Sequence, residues 1–452
     1  MPTSKNQILA MLLAVIVGAA MVGAFLLVDD QKHRRVYLEE KREFLEPPKL
    51  APEQFTLRPR FGTLGDAPDW SKLATFHETI TRERFERELI QVYSEGDAWK
   101  SVIEFDDTTA RIETTDGTFK LRFAGNEPTT KPPRYWRSAS EMPPSSDPRQ
   151  RPLEGVRIAI DPGHIGGEWA RMEERWYQIG DGIEVKEGEL VLQTAGQLLF
   201  ALREGGAEVQ LIRSKLEPVT THRPADFEEL ATATLLARGQ VAAPGDDGPD
   251  EATQKRITRE AERLFYRAAE IRQRATILNE RLQPDLVVCL HFNAEAWGNP
   301  NKPAFVPRNH LHFLINGTYS AGELRLHDQR YEMLLRLLQG IHDEELAVNL
   351  SVADALAGET GLAPFKYRTP NAKLVSDNPY IYARNLLANR LYQCPVIFCE
   401  PFVMNNREVY DRIALGDYEG RRTINGEERL SIFKEYALGV YRGLARYYRE
   451  RR

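Results

Sequence analysis

Apolar and polar residues alternate along the second half of this chain in blocks that predict a sheet covered by helices. From Val156 onward, short apolar runs are separated by longer stretches in which apolar residues recur at helical spacing. Strands are expected at 156–161, 207–212, 285–291, 310–315 and 395–400, and helices at 188–204, 252–281, 321–340, 380–392 and 430–449. This alternation is typical of an α/β fold with a mostly parallel open sheet and helices on both faces.

The block from 71 to 125 has a different pattern and predicts a small α+β domain. Thr81 is a candidate N-cap for a helix that runs to about Ser94. Strand-like runs then follow at 101–105, 109–114 and 118–123, and Asp116-Gly117 supplies a hairpin turn between the last two. The sequence gives no role for this domain.

Three segments with little periodicity divide the rest of the chain. Residues 30–70 are charged and contain proline, which indicates a tether, and residues 126–153 are rich in Pro and Ser, which indicates a linker. The remaining domain, 154–452, contains an unusually long connection at about 214–283. A connection of that length is a lid, an interaction surface for an activating partner or inert decoration.

The N-terminus carries an apolar segment without any charged residue from Ile8 to Val28. That length is enough to span a membrane as a helix, and residues 1–29 are therefore expected to be a membrane anchor. A cleaved signal peptide is the alternative, since Val22-Gly-Ala24 is a passable cleavage site. The apolar run continues past that site, which favours the uncleaved anchor.

Composition excludes little. The 452 residues are 42% hydrophobic and 28% charged, which is ordinary for a globular protein, and the net charge of -6 gives no reason to expect nucleic acid as a partner. The cysteines, Cys289, Cys394 and Cys399, lie in or beside apolar runs without metal-type spacing. They are expected to be buried thiols.

Four short motifs carry candidate chemistry, because each places a His or Glu near the end of an apolar run. They are Asp161-Pro-Gly-His164, Glu187-Gly-Glu189 before an apolar helix, His291-Phe-Asn293 after a strand, and Glu400 at the end of a strand. Open α/β sheets bind ligands at the carboxyl ends of their strands, and two histidines with a carboxylate are a hydrolytic zinc ligand set. A further carboxylate remains for acid/base work, but spacing alone does not choose between Glu187 and Glu189.

In this order and with these neighbours, the four motifs resemble the zinc-dependent N-acetylmuramoyl-L-alanine amidases of the type 3 amidase family. The resemblance covers about residues 155–449 and implies that His164, Glu187 and His291 bind Zn²⁺ and that Glu400 is catalytic. The family has a Glu five positions before a Leu of the helix's apolar stripe, which pairs Glu187 with Leu192 and favours Glu187 over Glu189. Asn293 would cap the following turn, orient a ligand or contact substrate.

Further residues both support and depart from this resemblance. Arg274 and Asn279 resemble an Arg-and-Asn helix that the family has before the third strand. Ile165, which separates His164 from the following glycines, and Pro401, which follows Glu400, are departures, as are the large residues Leu290 and Phe292 beside His291. These departures concern the shape of the pocket more than the metal.

The function implied by the resemblance is hydrolysis of the amide between N-acetylmuramic acid and L-alanine in peptidoglycan. Such a substrate places the catalytic domain on the extracytoplasmic side, in the cell envelope. The charges flanking the N-terminal segment weakly favour the opposite orientation, because Lys5 precedes it while Lys32, Arg34 and Arg35 follow it. A different zinc peptidase acting on wall peptides is one alternative. A non-catalytic scaffold that binds the wall or a division partner is the other.

Overall fold

The computed structural model describes residues 55–128, 130–242, 248–296, 298–299 and 302–452. The expected membrane segment, 1–29, and residues 30–54 of the expected tether lie outside these ranges. Within them, no helix combines the length and the apolar character that crossing a membrane requires.

The predicted sheet is present, and in the described part of the chain it has eight strands. The strands in the described residues are β1 (Ile103–Phe105), β2 (Thr109–Thr114), β3 (Gly117–Arg122), β4 (Arg157–Pro162), β5 (Trp176–Gln178), β6 (Glu184–Lys186), β7 (Glu208–Leu211), β8 (Leu286–Leu290), β9 (His310–Ile315), β10 (Ala363–Pro364), β11 (Lys373–Leu374), β12 (Ile381–Ala383), β13 (Val396–Glu400), β14 (Arg422–Ile424) and β15 (Glu427–Arg429). The order along the large sheet is β11-β12-β9-β13-β8-β4-β7, and β10 also pairs with β9.

The sheet is mostly parallel, as the sequence predicts. Strands β7, β4, β8 and β13 run in one direction, whereas β9 is antiparallel to β13. Every residue of β8 is buried, as expected for an apolar strand covered on both faces. The carboxyl ends of β4, β8 and β13 therefore share one edge of the sheet with the amino end of β9.

Helices cover both faces of the sheet. They are α1 (Arg82–Glu88), α2 (Glu187–Glu204), α3 (Glu228–Ala237), α4 (Glu251–Leu264), α5 (Glu270–Thr276), α6 (Ala321–Leu324), α7 (His327–Leu338), α8 (Ile341–Thr360), α9 (Leu387–Leu391), α10 (Arg407–Ala414) and α11 (Ile432–Arg451). Single π-helical segments, Leu89–Tyr93, Phe265–Ala269 and Ile277–Leu282, extend α1, α4 and α5. The helix predicted at 252–281 is thus one nearly continuous helical rod.

The two faces bury different residues of the same strands because side chains alternate along a strand. On one face, Ile158 and Val288 pack in a core that includes α2, α8 and α11. On the other face, Ala159 and Cys289 pack against α5 and α9. Helix α11 packs closely against α8. Gly443 permits this approach, since a Cβ at that position would lie 2.4 Å from Cα of Val352.

The α+β segment near the N-terminus packs directly on the larger sheet. Thr81 caps α1 by accepting a hydrogen bond from the Arg84 N–H, and β1, β2 and β3 form an antiparallel sheet. Backbone hydrogen bonds join this segment to the chain after β9: Thr318 N donates to Val92 O at 2.8 Å, and Tyr319 N donates to Tyr93 O at 2.7 Å. Its apolar core is continuous with one core of the sheet.

The Pro- and Ser-rich segment at 126–153 contains no strand in its described residues, and it crosses the end of the sheet. Trp136 is buried against the core. Arg137 pairs with the buried carboxylate of Asp285 at 2.6 Å, and Arg157 pairs with the same carboxylate at 2.7 Å. The segment is therefore held by charge, as well as by packing, to Asp285, the residue directly before β8.

The prediction of a helix at 380–392 is wrong over the first half of that range. Residues Ile381–Ala383 form β12, which pairs with β9, and only Leu387–Leu391 are helical. Tyr380-Ile-Tyr382 is rich in β-forming residues, and pairing with an already buried strand outweighs the helical spacing of the neighbouring leucines. The helix predicted at 321–340 is interrupted between α6 and α7.

Helix α8 has no counterpart among the predicted elements. It begins after Gly340 and ends at Gly361, both with left-handed backbone (φ 67° and 69°). The helix is buried on several sides, and its buried residues include polar ones such as Glu345, which pairs with Arg336 at 2.6 Å. Its sequence therefore lacks the single apolar stripe that marks a surface helix.

Candidate active site

Three of the four sequence motifs meet at one edge of the sheet. His291 directly follows β8, His164 lies two residues after β4, and Glu400 is the last residue of β13. Because β8 lies between β4 and β13, the three side chains come from adjacent strands. The fourth motif reaches the same edge through α2, whose first residue is Glu187.

Two imidazoles and one carboxylate converge there. The candidate ligand atoms of His164, Glu187 and His291 all lie within 4.8 Å of one another. His164 Nε2 is 3.2 Å from Glu187 Oε2, and His291 Nδ1 is 3.2 Å from Glu187 Oε1. Ligand atoms around a tetrahedral zinc ion are about 3.3 Å apart, given bonds of about 2.0–2.1 Å. The donor types and their spacing therefore fit a zinc ion.

The structure distinguishes Glu187 from Glu189, between which the sequence spacing alone does not choose. Glu187 is buried, with 3% of its side chain exposed, and its Oε1 also accepts a hydrogen bond from Phe292 N. Glu189 is 42% exposed and pairs with Lys186 at 3.4 Å. Gly188, between them, lets the helix start approach the His164 loop, because a Cβ there would lie 2.4 Å from Gly166 N.

The loop that carries His164 is held in an unusual backbone conformation. His164 has φ +56°, in the left-handed region that residues with a Cβ rarely adopt. Arg274 Nη2 donates to the carbonyl of His164 at 2.8 Å, while its Nη1 donates to Asp161 Oδ1 at 2.9 Å. The Arg-and-Asn helix noted in the sequence thus contributes its arginine to holding the ligand loop.

A buried carboxylate that the sequence did not single out supports the same loop. Glu173, only 2% exposed, accepts hydrogen bonds from the backbone N–H groups of Ile165 and Gly166 at 2.8 and 3.0 Å. Its Oε1 is 3.7 Å from His164 Nδ1, the ring nitrogen on the other side from Glu187. Glu173 lies in the charged run Glu173-Glu174, which looks solvent-exposed in the sequence.

The charges of these groups are complementary. Burial disfavours ionisation of Glu187, but the facing imidazoles outweigh it and hold the pKa of this carboxyl well below its ordinary value. Burial also disfavours the charged form of His164, but Glu187 and Glu173 outweigh it and raise the pKa of this imidazole to about 9. The side chains of His164, Glu187 and His291 therefore favour a positively charged group between them.

Glu400 lies beside His164, Glu187 and His291, but its carboxylate oxygens are not among the converging ligand atoms. Its side chain is partly buried in a cavity of about 580 Å³ that His164 and His291 also line. Burial raises the pKa of Glu400, nearby His291 lowers it, Glu187 raises it, and the net shift is upward. A carboxyl group of raised pKa is suited to accepting and releasing a proton near neutral pH.

Asn293 lines the same cavity, but its side chain is used by its own turn. Its Oδ1 accepts from Ala294 N at 2.7 Å, and its backbone bonds to the chain that follows β13, including Pro401 O at 3.1 Å. Asn279 lies on the long helix and donates to Leu391 O at 2.8 Å. Neither amide belongs to the converging donor set.

The long insertion forms one wall of the cavity. Helix α5 and the π-helical segment before it contribute lining residues that include Tyr266, Arg267 and Arg274. Ile165, the departure from the family pattern, is fully buried in the apolar core of the insertion, together with Phe227 and Phe265. The His164 and His291 side chains are still 17% and 15% exposed, so the described part of the insertion does not seal the site.

This arrangement has the parts needed for metal-assisted hydrolysis, namely a donor set for a divalent ion and a separate carboxylate in one cavity. No family model matches the chain, and a search of curated proteins found no match. Similar solved structures are N-acetylmuramoyl-L-alanine amidases, the class that the four motifs resemble.

Three of these structures come from clostridial and mycobacterial sources. An amidase from Clostridium difficile 630 is 14% identical over 65% of this chain and 97% of its own, with a TM-score of 0.31. Ami1 from Mycobacterium smegmatis is 16% identical over 66% and 98%, with a TM-score of 0.32. The CwlD amidase from Clostridioides difficile, solved with the GerS lipoprotein, is 10% identical over 64% and 96%, with a TM-score of 0.34. At these values, the case for a function rests on the side chains themselves.

Proposed function

We propose that this protein is a zinc-dependent N-acetylmuramoyl-L-alanine amidase that cleaves peptidoglycan between the lactyl group of muramic acid and L-alanine. The observation that carries the proposal is the convergence of His164, Glu187 and His291 in the cavity that also contains Glu400. Those residues occupy the four motifs that resemble the type 3 amidase family, and the fold brings all four to one place.

His164, Glu187 and His291 would hold the ion. Zinc bound by such a set supplies Lewis acidity, which polarises a carbonyl and lowers the pKa of a bound water to about 7. Glu187 faces both imidazoles, at 3.2 Å from each, and would neutralise part of the charge of a bound ion. The imidazoles and the carboxylate are positioned by strand ends and a helix start, which are rigid parts of the fold.

Glu400 would carry the proton. Its carboxylate accepts the proton of the attacking water and passes it to the nitrogen of the departing L-alanine, so that the peptide leaves as a neutral amine. Partial burial in the cavity limits competing solvent and supports both the base and the acid role. No nucleophilic Ser or Cys is required, and Cys289, Cys394 and Cys399 are all buried.

The substrate implies a location. Peptidoglycan lies outside the cytoplasm, so the catalytic domain would act in the cell envelope, attached through the apolar segment at 1–29. The amidase CwlD was solved in complex with a lipoprotein. For this chain an activating partner would act on the insertion, whose core contains Ile165 and which thereby contacts the His164 loop.

Product analysis tests the proposed function. Purified protein with zinc is expected to release peptides with new L-alanine amino termini from peptidoglycan, and chelation is expected to stop the release. Mass spectrometry of the fragments distinguishes this cut from cleavage within the peptide. A cut peptide bond, or stoichiometric zinc without any cleavage, would contradict the proposal.

Glu173 is expected to position His164 for the metal. Glu173→Gln should weaken zinc binding by about 10- to 100-fold, the usual cost of losing a carboxylate behind a ligating histidine. Competition with a zinc chelator of known affinity measures the change. Glu174→Gln is the matched control, because that neighbour is 58% exposed and pairs with Arg267. Equal zinc affinity in the two variants would show that Glu173 has only a backbone role.

A further inference from the structure

The cavity extends past Glu400 along the face of the sheet. Glu400 on β13 lies opposite His312 on β9 in the strand register. Beyond His312 the cavity is lined by Phe365, Tyr367 and Arg384. This part, which we call the distal arm, consists of the side chains of His312, Tyr367 and Arg384, and the proposed reaction has not used it.

Arg384 differs from the other cationic side chains of the cavity. Within the described residues it makes no salt bridge, and its one side-chain hydrogen bond is from Nη1 to the Tyr367 hydroxyl at 3.4 Å. The other lining arginines have carboxylate partners, Arg175 with Glu187 at 3.2 Å, Arg267 with Glu174 at 3.0 Å and Arg274 with Asp161 at 2.9 Å. A half-buried guanidinium without a carboxylate can pair with an anion that enters the cavity.

His312 supplies a second unsatisfied group. It is 3% exposed, and its Nδ1 is buried without a hydrogen-bond partner. Burial and the nearby charges of His310 and Arg384 lower the pKa of His312 to about 3, so the ring is neutral. The Tyr367 hydroxyl accepts from Arg384 and therefore donates to His312 Nε2, at 3.0 Å. The remaining proton lies on Nδ1, which is left as a donor.

The direction of the distal arm follows from the proposed reaction. Glu400 hands a proton to the departing amine, so the peptide, and not the sugar, lies on the Glu400 side of the donor set. The guanidinium is separated from Glu400 by His312 and Tyr367, a span on the order of 10 Å, or about three residues of extended chain. The residue after L-alanine falls within that reach.

We propose that the distal arm binds a free carboxylate of the peptide that follows the scissile amide, with Arg384 as the specificity-determining residue. This inference rests on the proposed function for the identity of the ligand. The planar guanidinium matches a carboxylate through two N–H donors. A peptide whose glutamate is amidated loses that pairing and leaves the guanidinium without a partner.

Binding measurements test the inference separately from catalysis. The probes are N-acetylmuramoyl-L-alanyl-D-glutamate and the same compound with both glutamate carboxylates amidated. Isothermal titration uses the full-length, zinc-loaded protein with Glu400→Gln, so that neither probe is cleaved. We expect the acid to bind about 10- to 100-fold more tightly than the amide, the range for a hydrogen bond to a charged group.

Variants assign the preference to one residue. Adding Arg384→Gln should reduce the acid-over-amide ratio to within about threefold, while Arg384→Lys should retain part of it because the charge remains. Arg267→Gln removes another cavity arginine, one that already has a partner, and should leave the ratio unchanged. Equal affinity for the two probes, no binding of either, or a preference that survives Arg384→Gln would overturn the inference. Hydrolysis of peptidoglycan by the unaltered protein, measured in parallel, reports on the proposed function alone.

Discussion

Protein carrying Glu187→Gln is expected to lose zinc and, with it, nearly all amidase activity. In the described part of the chain, Glu187 is the one carboxylate that faces both imidazoles, and only 3% of its side chain is exposed. Removing a supporting carboxylate behind a ligand already costs about 10- to 100-fold in metal affinity, so removing a ligand should cost more than about 100-fold. Metal analysis after dialysis should find well below one equivalent of zinc.

The matched control for this experiment is Glu189→Gln. That side chain is two residues away and 42% exposed, and among the described residues its one salt bridge is to Lys186. It should keep about one equivalent of zinc and nearly full activity, since an exposed ion pair contributes little to stability. Full zinc occupancy in Glu187→Gln, or its loss in Glu189→Gln, would show that the wrong carboxylate has been assigned. A thermal melt of each metal-free protein shows whether folding is altered.

Three of the four motifs could be found from the sequence because they lie at or just after the carboxyl ends of strands. A buried parallel strand reads as a short apolar run, and the residue after it lies at the ligand-binding edge, which is how His291 and Glu400 could be placed. Glu187 was harder to identify from the sequence, because the first turn of α2 contains two acids. The close approach of Gly188 to Gly166, which turns one of them inward, exists only in the folded chain. The local sequence pattern therefore predicts the ligand-binding edge of the sheet but does not decide between Glu187 and Glu189.

Residues whose position depends on contacts between distant parts of the chain have no comparable signal in the sequence. Glu173 lies in an ordinary charged run, and its burial depends on the backbone of the His164 loop folding over it. Arg384 follows β12, in a segment whose sequence favours a helix, and its position in the cavity depends on β12 pairing with β9. The missing prediction of α8 has a similar origin, because a helix buried on several sides has no polar face to mark its period.

The insertion shows how a departure from a family pattern can have a structural reason. Ile165 appeared in the sequence as an extra residue that separates His164 from the glycines. In the fold it is fully buried with Phe227 and Phe265, so that the insertion and the ligand loop share one apolar core. A partner that moves the insertion would therefore disturb His164 directly, which gives an activator a physical route to the site.

Glu400→Gln is expected to separate metal binding from catalysis. The variant should retain about one equivalent of zinc, because Glu400 is not among the converging ligand atoms, and kcat should fall by about 10²- to 10⁴-fold. That range corresponds to about 3–5.5 kcal/mol in the activation free energy, the contribution expected of a lost proton carrier. Initial rates of peptide release, with metal analysis on the same preparation, give both quantities.

The control for this variant is the same change at Glu408, an exposed residue in the first turn of α10. Glu408→Gln should be indistinguishable from the unaltered protein in both zinc content and rate. If Glu400→Gln kept its full rate with zinc bound, the proton would have to pass through another group in the cavity. If it lost zinc instead, Glu400 would be a ligand, and the donor set would include two carboxylates rather than one. The paired measurement thus distinguishes a proton carrier from a fourth ligand, which a rate alone cannot do.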